Sequence, residues 1–326
     1  MPHSAQIWTD HREFEREFGT LMPFPHYEKF FRERIERGTW RKIPKGLKDA
    51  FKSPRDEDER KLVEIIAAGD ADEVRTLEME LFQLRARLDH AERMLRKRTT
   101  EQIKEQALDE RQSAPGKQET VQQRLDDLRR NEPRERDSRI HPGQYAPVMI
   151  VEDGRRMVIP MRYHCRLPGW TAIVERKYPD THHARRDELE KRWSKLFGYC
   201  HGAVVMTSFR EEAAGRMDGR QESGPAENPR NARLEFAPDP ARALLVPCLW
   251  NYSLRSTPEE RDIFSFAAIT DESPPEIASA GHDRCLVAIR PEHLDAWLAP
   301  DPQDLPALHA ILDDRDRPRF VHRPAE

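Results

Sequence analysis

Long apolar runs are missing from this sequence. No stretch approaches the ~20 apolar residues that a membrane-spanning helix needs, and the first residues have neither the basic nor the apolar region of a secretory signal peptide. Cysteine is scarce as well, and no CxxC spacing occurs; the four are Cys165, Cys200, Cys248 and Cys285. These absences argue against a disulfide framework and against a zinc knuckle. We therefore expect a reduced, cytoplasmic protein that uses no metal and no cofactor.

General catalytic motifs are also absent. The sequence has no GxSxG string, no GxGxxG string, no HExxH string and no phosphate-binding loop of the Walker type. An excess of positive charge is missing too, because 55 Lys and Arg stand against 59 Asp and Glu and leave a net charge of −4. No global basic field indicates a nucleic-acid partner, so any such binding must depend on a local cleft.

Charge is present in quantity, and it is unevenly distributed. Charged residues are 35% and hydrophobic residues 37% of the 326 residues, which is too polar for one compact globule and too apolar for full disorder. The length leaves room for about two domains of roughly 150 residues. We expect residues 1–20 to belong to the body, 21–137 to form a helical insertion, 138–300 to form the main body, and 301–326 to be a flexible tail.

The charge-rich zone contains a heptad pattern. Apolar residues recur at spacings of 4, 3, 4, 3 and 4, at Leu77, Leu81, Leu84, Leu88, Ala91 and Leu95. Residues 112–116 (QSAPG) interrupt the pattern, and apolar residues resume at Val121, Leu125 and Leu128. This predicts two antiparallel helices joined by a turn at 112–116. The hairpin is interpreted as a spacer, with a homo-oligomer seam or a protein-binding arm as the alternatives.

The third zone has the signals of strands. We expect strands at 147–151 and 157–161 around a turn at 152–154, and further strands at 203–207, 243–249, 264–270 and 286–289. Helices are expected at 184–197 and 292–298. Because strands outnumber helices and do not alternate with them, the pattern favours an α+β body around a β-barrel over a doubly wound fold.

Several strings, taken in order, resemble one family. They are 4–8 (SAQIW), 141–148 (HPGQYAPV), 161–164 (MRYH), 184–187 (ARRD), 208–211 (SFRE), 264–270 (FSFAAIT), 281–284 (GHDR) and 291–298 (PEHLDAWL). Together they resemble the SOS response-associated peptidase (SRAP) family, in a variant subgroup with a long helical insertion. The resemblance implies an SRAP-like barrel and the processing of abasic sites in single-stranded DNA.

The resemblance also implies site residues. Glu211 matches the family glutamate that moves protons, and His282 matches the histidine that assists sugar ring opening and crosslink reversal. Arg162 and Arg185 match positions expected to contact DNA phosphates, for which guanidinium groups are suited. Family members use an N-terminal cysteine, whose amine and thiol trap the abasic aldehyde as a thiazolidine.

Two positions depart from the family pattern. Position 2 is Pro2 instead of cysteine, and His183 stands where the family has an asparagine that orients the N-terminal residue. Without a thiol at position 2 no thiazolidine forms. A proline amine can still attack an aldehyde, and the resulting iminium favours strand cleavage by a lyase reaction. Two alternatives stay open: a catalytically silent DNA-binding module, and an interaction protein that acts through its helical hairpin.

Overall fold

A computed structural model describes residues 4–97, 100–212, 233–255 and 262–325, without the side chain at 212. Within these ranges the strands are β1 Ser4–Ile7, β2 Arg139–Ile140, β3 Tyr145–Glu152, β4 Arg155–Tyr163, β5 His183–Arg185, β6 His201–Glu212, β7 Arg233–Asp239, β8 Leu244–Ser253, β9 Ile263–Glu272, β10 Arg284–Leu286 and β11 Arg319–Pro324. The helices are α1 His11–Phe18, α2 Phe24–Glu36, α3 Lys45–Asp49, α4 Glu57–Arg96, α5 Glu101–Arg129, α6 Ala172–Glu175, α7 Pro275–Ala278, α8 Leu294–Leu298 and α9 Leu305–Asp313.

Five of the strands close into a barrel. β3 pairs with β4 and with β6, β8 pairs with β6 and with β9, and a parallel pairing of β4 with β9 completes the ring. The β3–β4 hairpin turns at Asp153 and Gly154, both with positive φ, as a two-residue turn requires. The predicted α+β fold with a barrel is confirmed.

Both faces of the barrel strands are buried, which is why they lack hydrophobic alternation. Val148 and Ile150 of β3 belong to one hydrophobic cluster, which we call the inner cluster and which includes Phe209, Phe236 and Phe266. Met149, between them, belongs to a second cluster, which includes apolar residues of α8 and α9. A strand covered on both sides reads as a continuous apolar run.

The helical segment is inserted between two paired strands. β1 pairs with β2 through Ala5 opposite Ile140, although α1 to α5 separate these strands in the sequence. Contacts divide the chain into two units. The body unit holds the residues up to Tyr27, Lys42–Ala50 and the residues from Glu135 onward, and the helical unit holds Glu28–Arg41 and Phe51–Arg134.

In the helical unit α4 and α5 form the predicted antiparallel pair. Arg124 bonds to Glu73 and Arg87 lies 3.6 Å from Glu110, which fixes the antiparallel direction. The apolar seam between the helices holds Leu77, Leu81, Leu84, Val121 and Leu125.

The predicted turn at 112–116 is wrong, because α4 ends at Arg96 and α5 runs from Glu101 through Pro115 to Arg129. A proline removes one backbone donor, and the packing of Ala114 and Val121 into the seam outweighs that local loss. None of the helices in the described ranges is long and apolar enough to cross a membrane.

Two further segments of the body unit differ from the sequence-based expectation. Residues 184–197 form the end of β5, a short 3₁₀ helix at Arg186–Glu188 and successive turns, instead of one helix. The backbone N–H of Trp193 donates to the carbonyl of Glu188, five residues earlier, and that of Leu196 donates to the carbonyl of Trp193, three residues earlier. This irregular spacing is not that of a regular α-helix.

The segment after residue 300, expected to be flexible, forms α9 and β11. Burial of Leu312 on α9 and of Phe320 on β11 holds it, since Phe320 packs against Phe209 at 5.6 Å between ring centroids.

Candidate functional site

Glu211 lies on the inner side of β6. Successive side chains of a strand point to opposite faces, so Phe209 and Glu211 share the face of the inner cluster, and Ser208 and Arg210 point away from it. The Glu211 side chain is only 1% exposed. A buried carboxylate in an apolar cluster is a candidate for proton transfer, because its surroundings hold little water.

His282 is brought to Glu211 by the loop after α7. Gly281 precedes it with a φ of 92°, a conformation that favours glycine, and the turn directs the imidazole inward. Nδ1 of His282 lies 3.8 Å from Oε2 of Glu211, and the ring stands edge-on to Phe236 at 5.9 Å. Burial lowers the pKa of His282, so the imidazole is neutral at neutral pH. The two residues that the sequence strings singled out are thus brought together.

A row of rings lines the same cluster. Tyr163, at the end of β4, stacks on Phe266 at 5.2 Å and meets the His182 ring edge-on at 5.6 Å. His182 in turn meets the His183 ring at 4.6 Å. Burial lowers the pKa of His182 to about 4 and that of His183 to about 3, so both rings are neutral. Burial, and then the charge of Glu211, raise the pKa of Tyr163, so the phenol stays protonated.

The beginning of β1 lies next to Glu211 in the sheet. Ser4 pairs with Arg210 and Ala5 pairs with Phe209. Ser4 is the first residue that the structure describes, and Pro2, the predicted nucleophile, lies outside the described residues.

Three polar atoms on the inner-cluster side have no hydrogen-bond partner among the described residues. They are the hydroxyl of Tyr163, Nδ1 of His183 and Nε2 of His282. Buried polar groups are nearly always paired, since an unpaired one costs about 1–3 kcal/mol. His282 lies beside Glu211, and Tyr163 and His183 are joined in the row of rings, an arrangement typical of a site that receives a polar ligand.

A second buried glutamate holds the opposite face of β6. Glu235 of β7 accepts hydrogen bonds from Arg139 at 2.6 Å and from Ser208 at 2.7 Å, and Arg210 approaches it at 3.4 Å. Burial alone would raise the pKa of Glu235, but these donors hold it at about 2. These polar contacts of Glu235 hold β6, the strand that carries Glu211, in place. Sequence reasoning missed it because no strand was predicted at 233–239.

The two predicted phosphate contacts have different surroundings. Arg162 is mostly buried and donates to Glu175, which also accepts from Arg166 at 2.9 Å. The Arg185 side chain is 45% exposed and pairs with Asp187 at 2.7 Å. Arg185 is therefore accessible to a DNA strand, whereas Arg162 first has to leave Glu175. Sequence reasoning did not find Tyr163 as a site residue; its place in the string 161–164 (MRYH), which carries the resemblance, was the available signal.

Neither a metal site nor a reactive thiol is found in the described part of the chain. No group of three or more metal-ligating side chains occurs there. The four cysteines are free, and burial raises the pKa of each thiol.

Comparison with known proteins identifies the family. The sequence profile of the SOS response associated peptidase (SRAP) family matches residues 97–325, which include Glu211 and His282. This chain belongs to the SRAP family. Membership supports an SRAP-like function that is linked to the SOS response and involves DNA. No curated protein gives a significant match.

Solved structures with partial similarity include proteins from two bacteria. A protein from Bordetella bronchiseptica has 15% identity and a TM-score of 0.45, with 58% of this chain and 87% of that chain covered. A protein from Bacteroides thetaiotaomicron has 12% identity and a TM-score of 0.45, with 58% and 78% covered. A phage-related protein from Bordetella bronchiseptica has 20% identity and a TM-score of 0.40, with 58% and 81% covered.

Proposed function

We propose that this SRAP protein processes abasic sites in single-stranded DNA. The observation that carries the proposal is the buried pair of Glu211 and His282, whose side chains lie 3.8 Å apart next to the strand that begins the chain. A carboxylate and a neutral imidazole at this distance, in an apolar cluster, are suited to moving protons on a bound sugar.

The nucleophile in this proposal is the secondary amine of Pro2, exposed when Met1 is removed. It attacks C1′ of the ring-opened abasic sugar, and loss of water leaves a cationic iminium. Removal of a proton from C2′ then forms a C2′–C3′ double bond as the C3′–O bond breaks, and the 3′-phosphate leaves with the bonding electron pair. Water hydrolyses the iminium and returns the amine. The product is a cleaved strand instead of a stable crosslink.

Glu211 and His282 have separate roles in this scheme. Neutral His282 accepts the proton of the C1′ hydroxyl as the sugar ring opens, for which its lowered pKa is suited. Glu211 takes the C2′ proton, and its negative charge stabilises the iminium. Arg185, exposed at the end of β5, contacts a phosphate of the strand.

A second function is supported by Pro2 itself. The missing thiol removes the family's thiazolidine, so a catalytically silent module that only binds single-stranded DNA is the alternative. A third, protein binding through the helical unit, is supported by the exposed side chains of Met79 and Phe82 on α4.

The deciding experiment mixes purified protein with a single-stranded oligonucleotide that carries one abasic site. A denaturing gel separates intact DNA, cleaved DNA and a protein–DNA adduct, and mass spectrometry verifies that Pro2 is the first residue. We expect cleavage without borohydride and a covalent adduct with it, because borohydride reduces the iminium to a stable amine. Blocking the α-amine should abolish the adduct.

Two variants sharpen the result. Glu211→Gln should slow cleavage by about 10²-fold or more, whereas the exposed control Glu292→Gln should not. Pro2→Cys should give a stable adduct without borohydride. If neither the parent protein nor Pro2→Cys gives any adduct, the enzymatic proposal fails and only DNA binding remains.

A further inference from the structure

We propose that Tyr163 is a substrate-binding residue of this site: its hydroxyl, together with Nδ1 of His183, hydrogen-bonds the oxygen atoms of a base-free deoxyribose. The inference rests on the proposed function, and it names the part of the DNA that the site recognises. It concerns recognition of the sugar, which precedes any covalent step.

The position of Tyr163 is fixed by the packing of its ring. The side chain is 0% exposed, stacks on Phe266 and lies in the inner cluster with Phe209 and Phe236. Phe236 is also the ring that His282 contacts at 5.9 Å. The phenol therefore belongs to the same apolar cluster as the Glu211–His282 pair, and its ring has little freedom to turn elsewhere.

The hydroxyl of Tyr163 has no structural role among the described residues. It is buried and makes no hydrogen bond there, and the same holds for Nδ1 of His183. The two side chains are connected through the His182 ring, whose centroid lies 5.6 Å from that of Tyr163 and 4.6 Å from that of His183. A phenylalanine would fill the same apolar space without the cost of an unpaired hydroxyl. A polar atom kept at that cost, next to a candidate acid–base pair, is available to a ligand.

The protonation states fit an uncharged, oxygen-bearing ligand. Burial and Glu211 raise the pKa of Tyr163, so the phenol remains protonated and can donate a hydrogen bond. His183, with a pKa lowered to about 3 by burial, is neutral and has a ring nitrogen available as donor or acceptor. Neutral groups recognise sugar hydroxyl and ring oxygens, and they do not repel a cationic intermediate.

The sequence adds an independent observation. His183 stands where the family resemblance expects an asparagine, and Tyr163 lies in the string 161–164 (MRYH) that carries the resemblance. The structure joins these two positions, distant in sequence, in one row of rings. The hydroxyl of Tyr163 and the imidazole of His183 together supply the donor and the acceptor that the amide of an asparagine would offer.

The test uses the full chain and a single-stranded oligonucleotide with one tetrahydrofuran residue, which keeps the sugar ring oxygen but has no aldehyde. The measured quantity is the ratio of dissociation constants for the intact and the tetrahydrofuran strand. We expect the parent protein to prefer the tetrahydrofuran strand, and Tyr163→Phe to lose about 3- to 10-fold of that preference, the worth of one hydrogen bond. Tyr27→Phe is the matched control, because Tyr27 is equally buried and has Asp10 as its charged neighbour.

Thermal unfolding supplies a second readout. Removing an unpaired hydroxyl should leave the melting temperature of Tyr163→Phe unchanged or raise it by about 2–4 °C. A clear decrease would show that the hydroxyl has a structural partner and would overturn the inference.

The two proposals are tested by different measurements. A parent protein without preference for the tetrahydrofuran strand, or a Tyr163→Phe variant that keeps it, overturns the inference about Tyr163 even if borohydride traps an adduct. A preference that depends on Tyr163, without any trapped adduct, supports the inference and rejects the covalent chemistry.

Discussion

Two buried glutamates on adjacent strands have different neighbours, and these neighbours give one a structural role and the other a candidate chemical role. Glu235 is surrounded by Arg139, Ser208 and Arg210, so its charge is neutralised where it lies. Glu211 instead lies 3.8 Å from the neutral imidazole of His282, on the face of the inner cluster that also holds Tyr163. The first arrangement stabilises an ionised carboxylate for the sake of the fold. The second leaves a carboxylate able to exchange protons with a bound molecule.

This contrast predicts that Glu235 controls acid stability. Its pKa is about 2 in the folded protein against 4.5 for an unperturbed glutamate, so the group binds fewer protons in the folded than in the unfolded state. Its contribution, of order 3 kcal/mol, is complete above pH ~4.5 and is lost as the pH falls toward 2. Glu235→Gln should lose about 3–5 kcal/mol at pH 7, because Arg139 loses its buried charge partner and keeps the exposed Glu135, at 3.6 Å.

Denaturant unfolding between pH 2 and 7 measures this effect. The curves of the parent and Glu235→Gln should converge toward pH 2. Curves that stay parallel over this range would contradict the assigned pKa. Glu292→Gln, on the surface, is the control.

At the level of the elements, α5 has a proline in its interior, and the packing of neighbouring residues keeps this segment helical. Pro115 is exposed in the interior of the helix, where a proline costs up to about 3 kcal/mol relative to alanine. Packing of Leu125, Val121 and Ala114 against α4 holds the helix on both sides of it.

Pro115→Ala should therefore stabilise the α4–α5 pair by about 1–3 kcal/mol. Circular dichroism at 222 nm during denaturant unfolding measures it, with the exposed Gln112→Ala as the control for a change in helix propensity alone. A loss of helical signal in Pro115→Ala would mean that the proline is needed for the packing of the two helices.

The last strand is a second element whose order depends on packing. β11 pairs with β7 from Arg319 opposite Asp239 to Pro324 opposite Leu234, and Phe320 is its buried anchor. Phe320→Ala should cost about 3 kcal/mol, because the cavity opens beside Phe209. Val321→Ala, on the opposite and exposed face, should stay within about 0.5 kcal/mol. Equal effects of the two substitutions would show that β11 adds no stability to the sheet.

At the scale of the whole molecule, a net charge of −4 means that DNA binding depends on local groups. Arg185 is exposed and Arg162 is not, so their replacement should have different consequences. Arg185→Ala should weaken binding to all single strands alike and reduce the slope of log affinity against log salt by ~0.7.

Arg162→Ala should instead lower the melting temperature, because Glu175 loses one of its two buried partners. Fluorescence anisotropy at several salt concentrations, with thermal unfolding of the same samples, tests both statements. An unchanged salt slope in Arg185→Ala would remove this residue from the DNA-binding site.

The sequence by itself determined the local features of this protein. Asp153-Gly154 predicts the β3–β4 hairpin because a tight turn needs positive φ at those two residues. The leucine heptad likewise predicts the α4–α5 pair, because it places apolar side chains on one helix face. The ordered strings around Glu211 and His282 indicate the family from the sequence alone.

Only the tertiary structure decided the features that depend on contacts between distant residues. The end of α4, the course of 184–197 and the order of β11 follow from burial, which local propensity does not encode. The burial of Arg162 on Glu175, and the row of rings from Tyr163 to His183, likewise arise where separate strands meet. A side chain's charge, partners and pKa are set by such neighbours. For that reason the sequence indicates which residues carry the chemistry, and the fold decides what they can do.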